Sequence, residues 1–233
     1  MKTTIKSYQE APAVYSIKFD TGKVNLATLN LVPGKAVYRE RLVEVGGKEY
    51  RLWDPYRSKL AAAMLKGLPN IPIRPGCGVL YLGAASGTTI SHVSDIVGVG
   101  GHTYAVEFSS RSLRELVNNL SSRLNVFPIL ADARLPHSYR LLIENVDVVY
   151  CDIAQSEQAR VLADNAQLFL RDGGSVLLAV KARSIDSTKE PEEVFREEVD
   201  VLRRRELKIK AVVPLEPYDR DHIMVLAEKQ TSL

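Results

Sequence analysis

Two lysines, an aspartate and a histidine occupy places from which a chain of alternating strands and helices can bring them to one mouth. Asp152 follows an apolar run ending at Cys151, Lys181 follows the run Gly174–Val180, His222 opens the last apolar run, and Lys59 lies in the first turns of a helical pattern. A carboxylate beside two amines and an imidazole can accept, hold and return protons, and can set positive charge against a developing oxyanion. A free lysine titrates near about 10.4 and is a poor base at neutral pH. Burial and a second cation close by disfavour its charged form, whereas a carboxylate favours it. Lys181, behind a long apolar run, is therefore expected at a buried edge with Lys59 as the neighbouring cation and Asp152 orienting it. His222, in Asp221-His-Ile, also reads as a surface histidine at the start of a strand.

The stretch Val79-Leu-Tyr-Leu-Gly-Ala-Ala-Ser-Gly-Thr-Thr89 indicates what such a set would act beside. A short apolar run ends at Gly83, small residues follow, and a helical pattern begins near Thr88 and Thr89. This is how a buried parallel strand hands over to a helix, with small side chains that let a ligand approach the backbone. The loop lacks the Gly-x-Gly-x-x-Gly of a dinucleotide site and the Gly-Lys-Ser/Thr of a P-loop. A nucleoside ligand with no phosphate to neutralise fits better, and S-adenosylmethionine is the common one. An ordinary strand-to-helix turn would look the same in isolation, so the neighbouring strand ends matter.

Those ends carry acids in succession. Tyr104-Ala-Val-Glu107-Phe108 places an acid 24 positions after Gly83, near the spacing of about 20 at which a carboxylate reaches ribose hydroxyls. Ala131-Asp132-Ala133 offers a carboxylate and backbone to an adenine amino group, and Cys151-Asp152-Ile153-Ala154-Gln155 closes the series. Any one of these acids could cap a helix or start a turn. Three on successive strand ends point to an adenosyl pocket.

The elements that must position these residues alternate. Strands are predicted over 78–83, 102–107, 126–131, 146–151 and 174–180, with helices over 88–97, 109–121, 156–170 and 190–206. Such alternation predicts a parallel sheet covered on both faces. The last two strands, 207–213 and 222–228, have no helix between them and should form an antiparallel pair at one edge. Before this α/β unit, residues 1–53 read as a small antiparallel β domain, with Thr21-Gly22 and Gly46-Gly47 as turns and a docking or scaffolding role. Residues 54–233 form the second domain. Its first helix is expected to be capped by Asp54, with Pro55 at the first helical position.

Composition narrows the class without fixing it. With 45% hydrophobic and 25% charged residues the chain is an ordinary globular protein, and a net charge of +3 permits a nucleic-acid partner without demanding one. Arg57, Arg134, Arg183 and Arg220, around the expected mouth, would supply the attraction. The two cysteines, Cys77 and Cys151, belong to no metal-ligand cluster, so no metal is expected. The absence of a long apolar span predicts no membrane contact and a cytoplasmic setting.

The segments Asp54-Pro-Tyr-Arg-Ser-Lys59, Tyr81-Leu-Gly-Ala-Ala-Ser-Gly-Thr-Thr89, Tyr104-Ala-Val-Glu-Phe-Ser109, Ala131-Asp-Ala-Arg134, Cys151-Asp-Ile-Ala-Gln155 and Arg220-Asp-His222 resemble fibrillarin, in order and over nearly the whole chain. The likeness is to the compact archaeal form. It implies a Rossmann-like class I S-adenosylmethionine methyltransferase sheet of seven strands, preceded by the small β domain. It also implies RNA 2′-O-methylation of pre-rRNA and tRNA within a box C/D guide ribonucleoprotein. The implied partners are guide and target RNA, a Nop-domain scaffold protein and, through the RNA, a kink-turn-binding protein. The catalytic set carried over is Lys59, Asp152, Lys181 and His222. The implied cofactor contacts are Gly83, Ala84, Thr88, Thr89, Glu107, Phe108, Asp132, Ala133, Asp152, Ile153, Ala154 and Gln155. A protein-glutamine methyltransferase and a non-catalytic structural subunit are the rival readings.

Overall fold

The structure is a computed structural model that describes residues 4–230. Its first part is a five-stranded antiparallel sheet in the order β1-β2-β3-β5-β4: β1 (Thr4–Ser7), β2 (Val14–Lys18), β3 (Val24–Leu29), β4 (Leu42–Val45) and β5 (Lys48–Trp53). The predicted hairpin at Gly46-Gly47 is present. Both glycines have positive φ, which is what a two-residue turn between twisted strands requires. The short strand β1 escaped the sequence reading because it carries little apolar signal and pairs only with β2.

Helix α1 (Lys59–Leu65) begins later than expected. Asp54 does not cap it; its carboxylate accepts the N–H of Tyr56 and closes a separate turn. The cap is Ser58, whose hydroxyl accepts the Ala61 N–H. Lys59 is thereby fixed as the first helical residue, and the Thr89 hydroxyl donates to Ser58 Oγ at 3.0 Å, tying this helix start to the next one.

The second part alternates as predicted: β6 (Gly78–Leu82), α2 (Thr88–Val97), β7 (His102–Glu107), α3 (Ser110–Leu120), β8 (Val126–Leu130), a 3₁₀ turn (Pro136–Leu142), β9 (Val146–Cys151), α4 (Gln158–Phe169), β10 (Leu170–Lys181), α5 (Ala182–Ile185), α6 (Pro191–Arg204), β11 (Leu207–Pro214) and β12 (His222–Lys229). The seven strands run β11-β12-β10-β9-β6-β7-β8, and β12 is antiparallel to both neighbours. Its register sets His222 directly across from Lys181. The apolar runs that predicted β6 and β9 are buried along their length, as a sheet covered on both faces demands.

Residue 53 marks a change of sheet, yet the core continues across it. Ala11, Val14, Leu26 and Trp53 pack in one cluster with Ile90, Val93 and Tyr81. A buried ionic network crosses the same junction. Asp95 of α2 pairs with Arg51 of β5 at 2.8 Å and with Arg123 at 2.6 Å, and Arg51 also reaches Glu40 at 2.6 Å. Thr28 has a single hydroxyl proton, which it donates to Asp95, so its oxygen accepts from His92 Nδ1–H. The Nε2 atom of His92 then accepts from Tyr38 at 2.7 Å, and Trp53 stacks on the ring. The imidazole is neutral, and a proton added to it would be an unbalanced buried charge.

Burial first, then Arg51 and Arg123, holds the His92 pKa well below 6.5. A base whose folded pKa is depressed leaves the unfolded chain with more bound protons, so stability falls as pH falls below 6.5. The expected slope is up to about 1.4 kcal/mol per pH unit. Glu198, raised by burial, works in the opposite direction above 4.5. The measurement is therefore a comparison of urea unfolding at several pH values between the wild type and His92→Asn, whose slope should be flatter below 6.5. Equal slopes would contradict the neutral-histidine network.

Candidate active site

The carboxyl ends of β6, β7, β8 and β9 enclose a cleft of about 290 Å³. Its walls include Gly83, Ala85, Glu107, Phe108, Asp132 and the turn Asp152–Gln155, and Lys181 closes one end. The tips are locked to one another: Gly83 N donates to Val106, and Asp152 N to Leu82, each at 2.9 Å. Gly83 has φ +82, and a Cβ there would lie 2.4 Å from the Asp152 carbonyl oxygen, so only glycine lets these two tips meet.

Each expected acid stands on this cleft in a distinct state. Glu107 accepts the Ala85 and Ser109 N–H groups, one on each oxygen, both at 2.8 Å, which fixes its carboxylate at the floor. Asp132 is gripped by Arg134, with contacts down to 2.6 Å, and that hydrogen bonding lowers its pKa. Phe108 is exposed beside them, an apolar face over small residues. Acids for hydroxyls and an amino group, apolar walls and minimal side chains suit a nucleoside better than a phosphate, so these residues fit S-adenosylmethionine.

Asp152 joins cleft and amines. Its Oδ1 lies 3.0 Å from Lys181 Nζ and 3.5 Å from Lys59 Nζ. All three side chains are less than one-fifth exposed, so this charge cluster is largely shielded from water. Gln158 Oε1 accepts the Lys181 backbone N–H and steadies the strand tip. A residue the sequence reading did not single out completes the group: Asp219 Oδ2 lies 3.4 Å from Lys59 Nζ, and its Oδ1 lies 3.1 Å from His222 Nδ1. His222 Nδ1–H donates to the Arg220 carbonyl at 2.5 Å, which leaves Nε2 as an acceptor.

Lys59, Asp152, Lys181 and His222 thus form a connected set, with Asp219 as the link to His222. Among the expected cofactor contacts, Gly83, Glu107, Phe108, Asp132, Ala133, Asp152, Ile153, Ala154 and Gln155 line the cleft. Ala84, Thr88 and Thr89 do not. The Ala84 N–H is bonded to Val106, the Thr88 carbonyl accepts from Ser91, and the Thr89 hydroxyl is given to Ser58. Asp219 carried no signal of its own in Pro214-Leu-Glu-Pro-Tyr-Asp219, where an acid in a loop reads as a turn former. Its adjacency to His222 within Asp219-Arg-Asp-His222 is the clue that could have found it.

Strand order with one reversed strand beside the edge, and a nucleoside cleft at the parallel tips, define the class: this is the sheet of the Rossmann-like class I S-adenosylmethionine methyltransferases. Within that class the chain belongs to the fibrillarin family, whose model matches residues 5–231. The fibrillarin-like rRNA/tRNA 2′-O-methyltransferase of Staphylothermus marinus is 55% identical over 96% of this chain and 95% of its own length. Aeropyrum pernix fibrillarin, solved with natively bound S-adenosyl-L-methionine, is 51% identical, with a TM-score of 0.91 over 96% of this chain and 97% of that one. The solved fibrillarin/Nop5p complex contains a chain 45% identical, with a TM-score of 0.81 over 88% of this chain and 94% of that one.

Proposed function

We propose that this chain is an S-adenosylmethionine-dependent RNA 2′-O-methyltransferase. It modifies ribose hydroxyls of ribosomal and transfer RNA as the catalytic subunit of a box C/D guide ribonucleoprotein. The observation that carries the reading is the Lys59–Asp152–Lys181 cluster at the end of the nucleoside cleft. The names of its relatives, the cofactor bound by the Aeropyrum pernix protein and the Nop5p partner of a third support it. A Nop-domain scaffold, a kink-turn-binding protein reached through the RNA, and a cytoplasmic setting complete the proposal. Among the described residues no helix is long and apolar enough to cross a membrane, and no cluster could hold a metal ion.

Bound S-adenosylmethionine supplies a methyl group on a positively charged sulfur. Glu107, Asp132 and the Asp152–Gln155 turn hold that ligand, and the chain's remaining work is to position and deprotonate the acceptor hydroxyl. Lys59, tethered to both Asp152 and Asp219, serves as the fixed positive charge. Lys181 Nζ, in its unprotonated form, takes the proton from the 2′-hydroxyl, with Asp152 setting its direction. His222 Nε2, free to accept, orients the ribose. Asp219 acts through Lys59 and His222. Asp219→Asn should accordingly lower kcat while leaving cofactor affinity, read by calorimetry, unchanged; an unaltered kcat would remove it from the site.

The reading is tested by cofactor titration followed by transfer of a labelled methyl group to RNA, with and without the assembled guide particle. Transfer that needs the particle is expected. Cofactor binding with no transfer to RNA under either condition would leave the protein-glutamine methyltransferase and structural-subunit readings.

A further inference from the structure

Strand β10 outruns its parallel neighbour at the catalytic end. The last pair between the two is Cys151 with Leu178, after which β9 gives way to the Asp152–Gln155 turn. Ala179, Val180 and Lys181 continue beside β12 alone, opposite Met224, Ile223 and His222. On the side that β9 has left, the Lys181 backbone N–H has no strand to pair with. A shielded backbone donor must find a partner elsewhere. Gln158, the first residue of α4 and fully buried, provides it: its Oε1 accepts that N–H at 2.9 Å.

This contact decides how Lys181 stands beside His222. The Lys181 N–H points to α4, and the His222 carbonyl accepts from Leu215, just past β11. The two residues are therefore a non-hydrogen-bonded antiparallel pair, the kind in which facing side chains stand closest. From that position Lys181 Nζ reaches Asp152 at 3.0 Å.

Gln158 is a costly residue for a brace. Its Nε2 is buried with no hydrogen-bond partner among the described residues, a penalty that a leucine of similar size would not carry. What the leucine lacks is the oxygen on Lys181. The glutamine is itself held from behind. Glu157, at the start of α4, makes no side-chain cap, and the buried Glu198 of α6 instead accepts the Ala159 N–H at 2.6 Å. A line of contacts thus runs from α6 through the first turn of α4 to Lys181.

We propose that Gln158 is a positioning residue for methyl transfer: its amide oxygen stands in for the missing strand and holds the Lys181 backbone so that Nζ meets both Asp152 and the ribose hydroxyl. The proposal rests on the RNA-methyltransferase reading and adds to it a residue that is not on the cleft wall. Glu198 supports it at one remove, by fixing the turn that carries Gln158.

The test measures single-turnover methyl transfer by the assembled guide particle at saturating cofactor, with cofactor affinity read by calorimetry. Gln158→Leu should lower the rate about 10- to 100-fold, the scale set by about 1 Å of misplacement at a reacting group. Cofactor affinity should stay at the wild-type value, which also reports that the variant folds. Gln158→Glu keeps an acceptor oxygen at the same reach and should restore most of the rate. The discriminating comparison is made in a Lys181→Ala background. There Gln158→Leu should cost less than about twofold, because losses that act through one shared group do not add. An equal loss in both backgrounds would overturn the proposal, since Gln158 would then act on the site as a whole. So would a wild-type rate in Gln158→Leu, or a drop in cofactor affinity that matches the drop in rate. Should Gln158→Leu not fold, Gln158→Asn, whose carbonyl falls one methylene short, carries the same comparison. If wild-type particles methylate RNA and the Gln158 variants match them, the positioning role fails and the enzymatic reading stands. If wild-type particles methylate no RNA, the enzymatic reading fails and the positioning role with it.

Discussion

Lys181→Ala is expected to reduce the single-turnover rate of methyl transfer by about 10²- to 10⁴-fold, the range for losing a positioned general base. Lys181 Nζ is the amine closer to Asp152, at 3.0 Å, and it lies on the cleft wall, whereas Lys59 is held away from the cleft by a second carboxylate. Removing Lys181 deletes the group that receives the proton and leaves Asp152 with Lys59 as its one amine neighbour. Lys59→Ala removes charge without removing the acceptor, so a smaller loss is expected. Cofactor binding should survive in both variants, since the acids at the other strand tips are untouched. Single-turnover rates with saturating cofactor, taken from about pH 6 to 9, separate these effects from binding. If Lys181→Ala kept most of the wild-type rate throughout, the proton would have to leave by another route.

The second large effect concerns folding. Asp95→Asn should cost about 3–5 kcal/mol, the penalty for breaking a buried ion pair by removing one partner. The Asp95 carboxylate accepts from Arg51, Arg123, the Thr28 hydroxyl and the Leu31 N–H, and its side chain has no exposure to water. An amide in its place leaves two buried guanidinium groups with only Glu40 to balance them. That is a large part of a typical stability of about 5–15 kcal/mol. The exposed pair Arg203–Asp200, although equally short at 2.8 Å, provides the contrast. Asp200→Asn should change stability by no more than about 1 kcal/mol. Urea unfolding of the two variants measures both, and similar losses would mean that burial does not set the difference.

Much of the catalytic half was legible because its signals are local. The apolar run of β6 is unbroken and that of β9 is interrupted only by Asp147 near its start, and each strand tip carries its acid within two residues of the run's end, so the strand order alone gathers Glu107, Asp132 and Asp152. Lys181 and His222 were readable for the same reason, and the antiparallel register explains why they meet. The residues that were not legible depend on distant partners. Ser58 rather than Asp54 caps α1, and its hydroxyl also accepts from Thr89, far along the chain. Asp219 matters only because the turn before β12 folds back over α1. The junction network drew no attention because Arg51, Asp95 and Arg123 look like ordinary surface charges until the two sheets close over them. The small β domain keeps a cluster of its own around Ile17, Ala27, Val43 and Tyr50, while Ala11, Val14, Leu26 and Trp53 pack with residues of the larger sheet and its helices.

The most direct measurement is the position of the transferred methyl group. Particles assembled with guide RNA and labelled cofactor would be incubated with target RNA, and the RNA and protein fractions digested and examined by mass spectrometry. A single label on a ribose 2′-oxygen of the guide-paired nucleotide is the predicted result. A label on a base or on a glutamine side chain, with riboses unmodified, would contradict it.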